Sequence, residues 1–239
     1  MKKIFAYVGS RNVSSNTLIQ TRKILAALEM KFPGSFDVEL YTPNELKIKS
    51  ATGCKSCFTH GTCPIEQQNI DDSKLLKEKL EEADFIIFAS PVYSHNVSAD
   101  MKAVVERLSY WGHLFKLAGK SGVVLAVADS NGVTFVSDYM EKVFGIMGLN
   151  IIDKLNVTST SPLSQIYVEN LAEEIFNYVM GNYEIEVDER VERSFQHYKK
   201  MYATLPRSFA EPKYWHENGM FECENLQEYI EVKKGILKN

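Results

Sequence analysis

Short apolar runs alternate with helix-periodic segments over roughly the first three quarters of the chain. The runs occupy residues 3–8, 36–40, 84–89, 123–128 and 151–157. Two of them, Phe85-Ile86-Ile87-Phe88-Ala89 and Val123-Val124-Leu125-Ala126-Val127, have no polar position, as parallel strands covered on both faces require. Between the runs, apolar residues recur at three- and four-residue spacing, which predicts helices over 15–31, 72–83, 98–110, 134–147 and 164–180. Asp71 or Asp72 stands where a helix N-cap is expected. Strand and helix in strict alternation predict a doubly wound α/β sheet, with ligands outside the carboxyl ends of the strands. Beyond Gly181 the pattern changes. Residues 187–205 are charged and helical, with Phe195, Tyr198 and Tyr202 on one face. A loop with Pro206 and Pro212, the run Tyr214-Trp215-His216 and a last helix over 226–234 follow. The expected organisation is an α/β domain over 1–180 and a helical extension over 181–239 that packs on the core or on a partner subunit.

Composition narrows the function classes. The 239 residues are 45% hydrophobic and 24% charged, with a net charge of −4. That balance gives neither nucleic acid nor an anionic membrane a reason to bind. No apolar run approaches the roughly 18 residues that span a bilayer. The apolar stretch after Met1-Lys2-Lys3 stops at Val8 without a small-residue cleavage site, so a cytoplasmic protein is expected. Four cysteines in a chain of this length do not make a secreted disulfide framework.

Chemistry gathers where strands end. The first strand runs into a loop holding Ser10, Arg11, Ser15, Asn16 and Thr17, and a helix begins there. A helix N-terminus offers free N–H groups and partial positive charge, which suits a phosphate. Gly9 is the loop's only glycine and no Gly-Lys-Ser/Thr follows, which excludes dinucleotide and nucleoside triphosphate loops and leaves one terminal phosphate. Capping of the helix by Ser14 or Ser15 is the plainer alternative. The third strand ends in Ser90-Pro91-Val92-Tyr93-Ser94-His95-Asn96, which offers a flat apolar contact and amides for a planar ring, and equally a polar turn capped by Ser98. The fourth ends at Asp129-Ser130-Asn131-Gly132 on the same edge.

Taken in order, Gly9-Ser10-Arg11, Ser15-Asn16-Thr17, Ser90-Pro91-Val92-Tyr93 with Asn96 and Ser98, and Met101-Lys102 with Glu106-Arg107-Leu108 resemble the NADPH-dependent FMN reductase family. Within that flavodoxin-like superfamily they are most similar to the branch of multimeric flavodoxins and iron–sulfur flavoproteins. The resemblance covers about residues 1–160. It implies a five-stranded parallel sheet of order 2-1-3-4-5 and FMN as cofactor, with NADPH or NADH as co-substrate. It assigns the FMN phosphate to Ser10, Arg11, Ser15, Asn16 and Thr17. Ring contacts go to Pro91, Val92, Tyr93, Ser94, His95 and Asn96, with Asn131 and Gly132 in the third flavin loop. The flavin carries the chemistry, so no catalytic side chain is assigned. The implied activity passes electrons from the nicotinamide through FMN to a small acceptor: a quinone, an azo or nitro aromatic, or free flavin. The alternative is a flavodoxin-like electron carrier reduced by a protein partner, an iron–sulfur flavoprotein relative without its cluster. A homodimer or homotetramer is expected, with the Trp111 region and the aromatic extension as interface candidates.

Cys54, Cys57 and Cys63 lie between the second strand and the 72–83 helix. Related iron–sulfur flavoproteins carry a four-thiolate cluster here, but His60 stands at this chain's third position. Three thiolates and an imidazole suit zinc better than a [4Fe–4S] cluster, and Cys54 with Cys57 forms a redox-capable spacing. The expectation is that these thiols are remnants or packing residues in a loop near the flavin and hold no metal. His113 is expected in an interface aromatic cluster, the alternative being an approach to the flavin of a partner subunit, and His197 and His216 have no acidic or thiol partner at suggestive spacing.

Overall fold

The computed structural model describes residues 1–237. Five parallel strands form its sheet: β1 (Lys2–Val8), β2 (Phe36–Tyr41), β3 (Phe85–Tyr93), β5 (Ser121–Val127) and β6 (Asn150–Val157). A two-residue strand, β4 (Asn96–Val97), pairs antiparallel with the end of β3. The order is β2-β1-β3-β5-β6, which is the expected 2-1-3-4-5 once that hairpin arm is set aside. Side chains on β1 alternate between the two faces, as strand geometry demands. Ile4, Ala6 and Val8 pack with α1 (Asn16–Lys31) and α8 (Gln165–Met180). Phe5 and Tyr7 pack on the other face with α4 (Ser73–Glu82), α5 (Ala99–Leu108) and α7 (Val133–Gly145).

Caps set the helix starts. The side chains of Ser15, Ser98 and Ser164 accept hydrogen bonds from Leu18, Met101 and Tyr167, three residues on in each case. Asp72 occupies the N-cap of α4 but makes no cap bond; its carboxylate accepts from Lys47 N–H at 2.8 Å, and Asp71 accepts from Ser73 N–H. The 134–147 helix begins one residue early, because Gly132 takes a left-handed φ of 86° at its N-cap. Three short helices do not show in the sequence pattern: α2 (Ser56–His60), α3 (Pro64–Gln67) and α6 (Trp111–Leu114). Their one or two turns are too short to display a period.

The extension holds α9 (Glu189–Tyr202), α10 (Ala210–Glu217) and α11 (Leu226–Lys233). Pro212, expected in a loop, lies in the first turn of α10, where no intrahelical N–H bond is lost. Phe195, Tyr202 and Trp215 are fully buried against Leu114, Phe115 and Ala118 of the same chain. Trp111 is also buried. Of the two expected dispositions, packing on its own core is the one found, and these aromatic interface candidates are buried within one chain. Trp215 Nε1 donates to His113 C=O at 2.9 Å, and His113 Nδ1 lies 2.6 Å from Glu211, so the expected aromatic cluster around His113 is a seam between core and extension. Among the described residues no helix is long and apolar enough to cross a membrane.

Candidate functional site

The loops after β1, β3 and β5 meet at the carboxyl edge of the sheet. Gly9 makes the first junction: its N–H donates to Ala89 C=O at 2.8 Å. A Cβ at this position would lie 2.7 Å from Ser98 Oγ and 2.9 Å from Met101 Cβ, so only glycine lets the first loop approach α5. Gly132 makes the second junction. A Cβ there would sit 2.9 Å from Val92 and 3.2 Å from His95 Nδ1, on a backbone that already favours glycine. His95 and Phe135 then meet edge to face, with ring centroids 5.6 Å apart.

The first loop is built to receive an anion. Ser10 is buried, and its Oγ has no hydrogen-bond partner among the described residues. Buried hydroxyls are nearly always bonded, so an orphan at a ligand loop points to a missing acceptor. The N–H groups of Asn16 and Thr17, at the free end of α1, likewise find no acceptor among the described residues. Ser15 Oγ accepts from Leu18 N–H at 3.2 Å, which uses one of its two lone pairs and leaves its proton to donate outward. Capping and anion binding are compatible in one side chain. Thr17 is buried and Asn16 exposed. Arg11 stands apart from this cradle: its guanidinium makes two 2.9 Å bonds to the Asp100 carboxylate. Behind them lies Tyr7, whose buried hydroxyl also lacks a partner. Burial and the Asp100 charge both push its pKa well up, so it stays a neutral donor. Sequence reasoning missed Asp100 and Tyr7, because neither belongs to the loop: Asp100 balances Arg11 from α5, and Tyr7 lies on β1.

The second loop is a tight hairpin. Tyr93 pairs with Asn96, and Ser94 and His95 between them both take left-handed φ values of 50° and 60°. Such turns usually carry Asn or Gly, so two other residues here mark stored strain, a frequent property of ligand-binding loops. Ser90 and Pro91 are buried and fix the approach. Val92 is half-buried, and Tyr93, Ser94, His95 and Asn96 are exposed along the rim, as is Asn131. The structure thus brings Ser10, Ser15, Asn16, Thr17, Pro91–Asn96, Asn131 and Gly132 to one edge, and it turns Arg11 toward Asp100.

The cysteine loop lies elsewhere. Cys63 Sγ is 3.3 Å from Arg107 Nη2, near the far end of α5. Arg107 is buried in a network with Asp71, Glu66, Ser73 and the Lys49 carbonyl, and Lys77 pairs with Glu66. The Ser56 amide and Thr52 hydroxyl hold the exposed Cys54 below the usual thiol range, whereas burial pushes Cys57 up. Among the described residues no three potential ligands are grouped to hold a metal ion.

This edge can now be set beside known proteins. The sequence profile of NADPH-dependent FMN reductases matches residues 2–161. The chain belongs to that family. An iron–sulfur flavoprotein of Archaeoglobus fulgidus is 35% identical over 125 residues, covering 52% of this chain and 55% of that protein. The chain thus spans about half the length of that relative. An FMN-dependent NADH:quinone oxidoreductase of Polaromonas naphthalenivorans is 23% identical over 163 residues, covering 59% of this chain and 74% of its own. Among solved structures, the flavoenzyme FerB of Paracoccus denitrificans superposes with a TM-score of 0.54 at 11% identity, over 76% of this chain and 98% of that one. The apo NADH:FMN oxidoreductase EMOB gives 0.51 at 18%, over 80% and 94%. At such identities the likeness shows the fold, which is flavodoxin-like. The family match stops where the extension has yet to begin.

Proposed function

We propose that this chain is an FMN-dependent NAD(P)H oxidoreductase that delivers electrons to a small acceptor such as a quinone, an azo or nitro aromatic, or free flavin. The observation that carries the reading is the orphaned Ser10 hydroxyl beside the free end of α1, adjoining a strained, exposed hairpin on the same edge. Ser10, Ser15, Asn16, Thr17 and the first amides of α1 donate to the FMN phosphate, and Arg11 stands on the same loop with its guanidinium paired to Asp100. Pro91–Asn96, with Asn131 and Gly132, flank the ring. When bound, FMN accepts the two electrons of a nicotinamide hydride and yields them to the acceptor. The protein's residues hold and orient, and the exposed rim at Tyr93 and Phe135 leaves one face open. Anaerobic mixing of the FMN-loaded protein with NADPH or NADH should bleach the yellow flavin band promptly. Failure with both nucleotides, in protein that dithionite still reduces, would replace this reading with the electron-carrier one. The 35% identity to an iron–sulfur flavoprotein favours that second reading, with His60 standing at the third ligand position.

The same reading takes the chain as a domain over 1–180 with a helical extension over 181–239. It places the protein in the cytoplasm, where four free thiols stay reduced. It expects a homodimer or homotetramer whose contacts avoid the aromatic stripe of α9. Sedimentation should give two or four copies of the 27.2 kDa chain; a single copy at micromolar concentration contradicts this.

A further inference from the structure

The seam between core and extension is not closed. A cavity of about 220 Å³ opens where the end of α7 and the start of β6 meet α9 and α11. Leu149 and Ile151 wall it from the core, and Ile185, Val187, Leu226 and Ile230 from the extension. Leu149, Ile185, Leu226 and Ile230 are buried, so its depth is apolar. The charged lining residues reach solvent and form its mouth. Their charges cancel. Glu141 pairs with Lys154 at 2.9 Å and Asp188 with Arg190 at 3.1 Å, which leaves Lys142 and Glu186, one of each sign.

Gly145 keeps the space open. It ends α7 and lines the cavity, its φ is not in the left-handed region, and a Cβ on it would meet no atom within 4 Å. Glycine weakens a helix relative to alanine, and neither conformation nor contact requires it here. Gly148 differs, because its φ is 95° and a Cβ would lie 2.6 Å from Ala118 N. The side chain missing at Gly145 is therefore room, in a molecular interior that ordinarily tolerates few voids larger than a water. A void of about 150 Å³ lined by Leu, Ile and Phe already takes up benzene. This one is larger and open at a polar end, so it admits one ring with small substituents. We infer that the cavity binds an uncharged one-ring aromatic of the phenol class. The ring lies among Leu149, Ile151, Leu226 and Ile230, and the hydroxyl stays at the mouth. Ser194 Oγ lines the cavity and donates to Arg190 C=O at 3.0 Å, which leaves its lone pairs to accept from that hydroxyl. A neutral mouth gives an ion no compensation for leaving water. The four extension walls lie beyond residue 161, where the family match ends, so the site belongs to this chain's own extension. The 13 residues of α7 put roughly 20 Å between Gly145 and the flavin loop at Gly132, and the site does not depend on the reductase reading.

The probe is p-cresol, titrated by calorimetry into the FMN-loaded full-length chain. One molecule should bind with a Kd of about 1 mM or tighter, and about 10 mM should raise Tm by roughly 3 °C or more. The same ring carrying a charge, 4-methylbenzoate, should bind at least about 10-fold more weakly. Gly145→Leu and Ser194→Leu fill the cavity from the core and from the extension. Each variant should fold, keep its FMN affinity and lose the p-cresol response. No binding by the wild-type protein at about 10 mM overturns the site. Binding that survives in both variants also overturns it, because the ligand then sits elsewhere, as on the flavin. Equal affinity for p-cresol and 4-methylbenzoate overturns the assignment to an uncharged ligand.

Discussion

Ser10→Ala should move two measurements in opposite directions. Without ligand, the Ser10 hydroxyl is buried and unpaired, a state that costs about 1–3 kcal/mol. Its removal should raise the stability of the flavin-free protein, or leave it unchanged. With FMN the same hydroxyl donates to a charged phosphate oxygen, a bond of about 1.5–3 kcal/mol, so affinity should fall roughly 10- to 100-fold. Ser15→Ala/Asn16→Ala removes two donors at once and should weaken FMN binding by more than about 100-fold. It also costs about 1 kcal/mol of stability, because Ser15 caps α1. Fluorescence titration of FMN and thermal melts of the flavin-free protein read both quantities. A Ser10→Ala protein that loses stability and keeps its FMN affinity would show the hydroxyl to be structural, and the phosphate assignment would fail with it.

The largest stability effect is expected at Arg107. Its side chain is 3% exposed and its partner Asp71 has no exposed side-chain surface. Arg107→Met would leave the Asp71 carboxylate buried without its cation, a change that typically costs about 3–5 kcal/mol. In a chain of this size that is a fall in Tm of roughly 10 °C. Arg107→Met/Asp71→Asn should recover part of the loss, because the uncompensated charge is then gone. The pair also has a sign in pH. Burial opposes ionisation of Asp71, but bonds from Ser73, Lys49 N–H and Arg107 outweigh it and hold its pKa below the ordinary 3.8. A carboxyl group with a lowered folded-state pKa stabilises the fold above its unfolded value, and that contribution is lost as pH falls through the folded value. The wild-type protein should therefore lose stability on the acid side of about pH 4, with a smaller slope in Arg107→Met. A variant melting within about 2 °C of wild type would mean that water reaches Asp71 and that the network contributes little.

The chemistry at each end of this contrast was unequally visible in the sequence. Ser10, Ser15, Asn16 and Thr17 are legible because a strand, a loop and a helix follow one another there, and a helix start has predictable free donors. Pro91 to Asn96 are legible for a similar reason, since they continue directly from an apolar strand. The Arg11–Asp100 pair spans 89 positions and the Arg107–Asp71 pair 36, and no local periodicity encodes either.

The same division holds for the architecture. Local pattern alone determined the alternation of buried strands and amphipathic helices, because side-chain burial repeats every 2 or 3.6 residues whatever the partner. It also offered caps at Ser15 and Ser98, since capping is satisfied within three residues of chain, whereas Asp72 stands at the N-cap of α4 without a cap bond. Only the tertiary structure decided where the aromatic stripe of α9 goes. An apolar helix face is driven out of water equally well by its own core or by a second subunit, and Phe195 and Tyr202 met Phe115 and Trp215 of the same chain first. Only the tertiary structure, too, left Ser10 without a partner, because satisfaction of a buried hydroxyl depends on every chain segment that comes within hydrogen-bond reach.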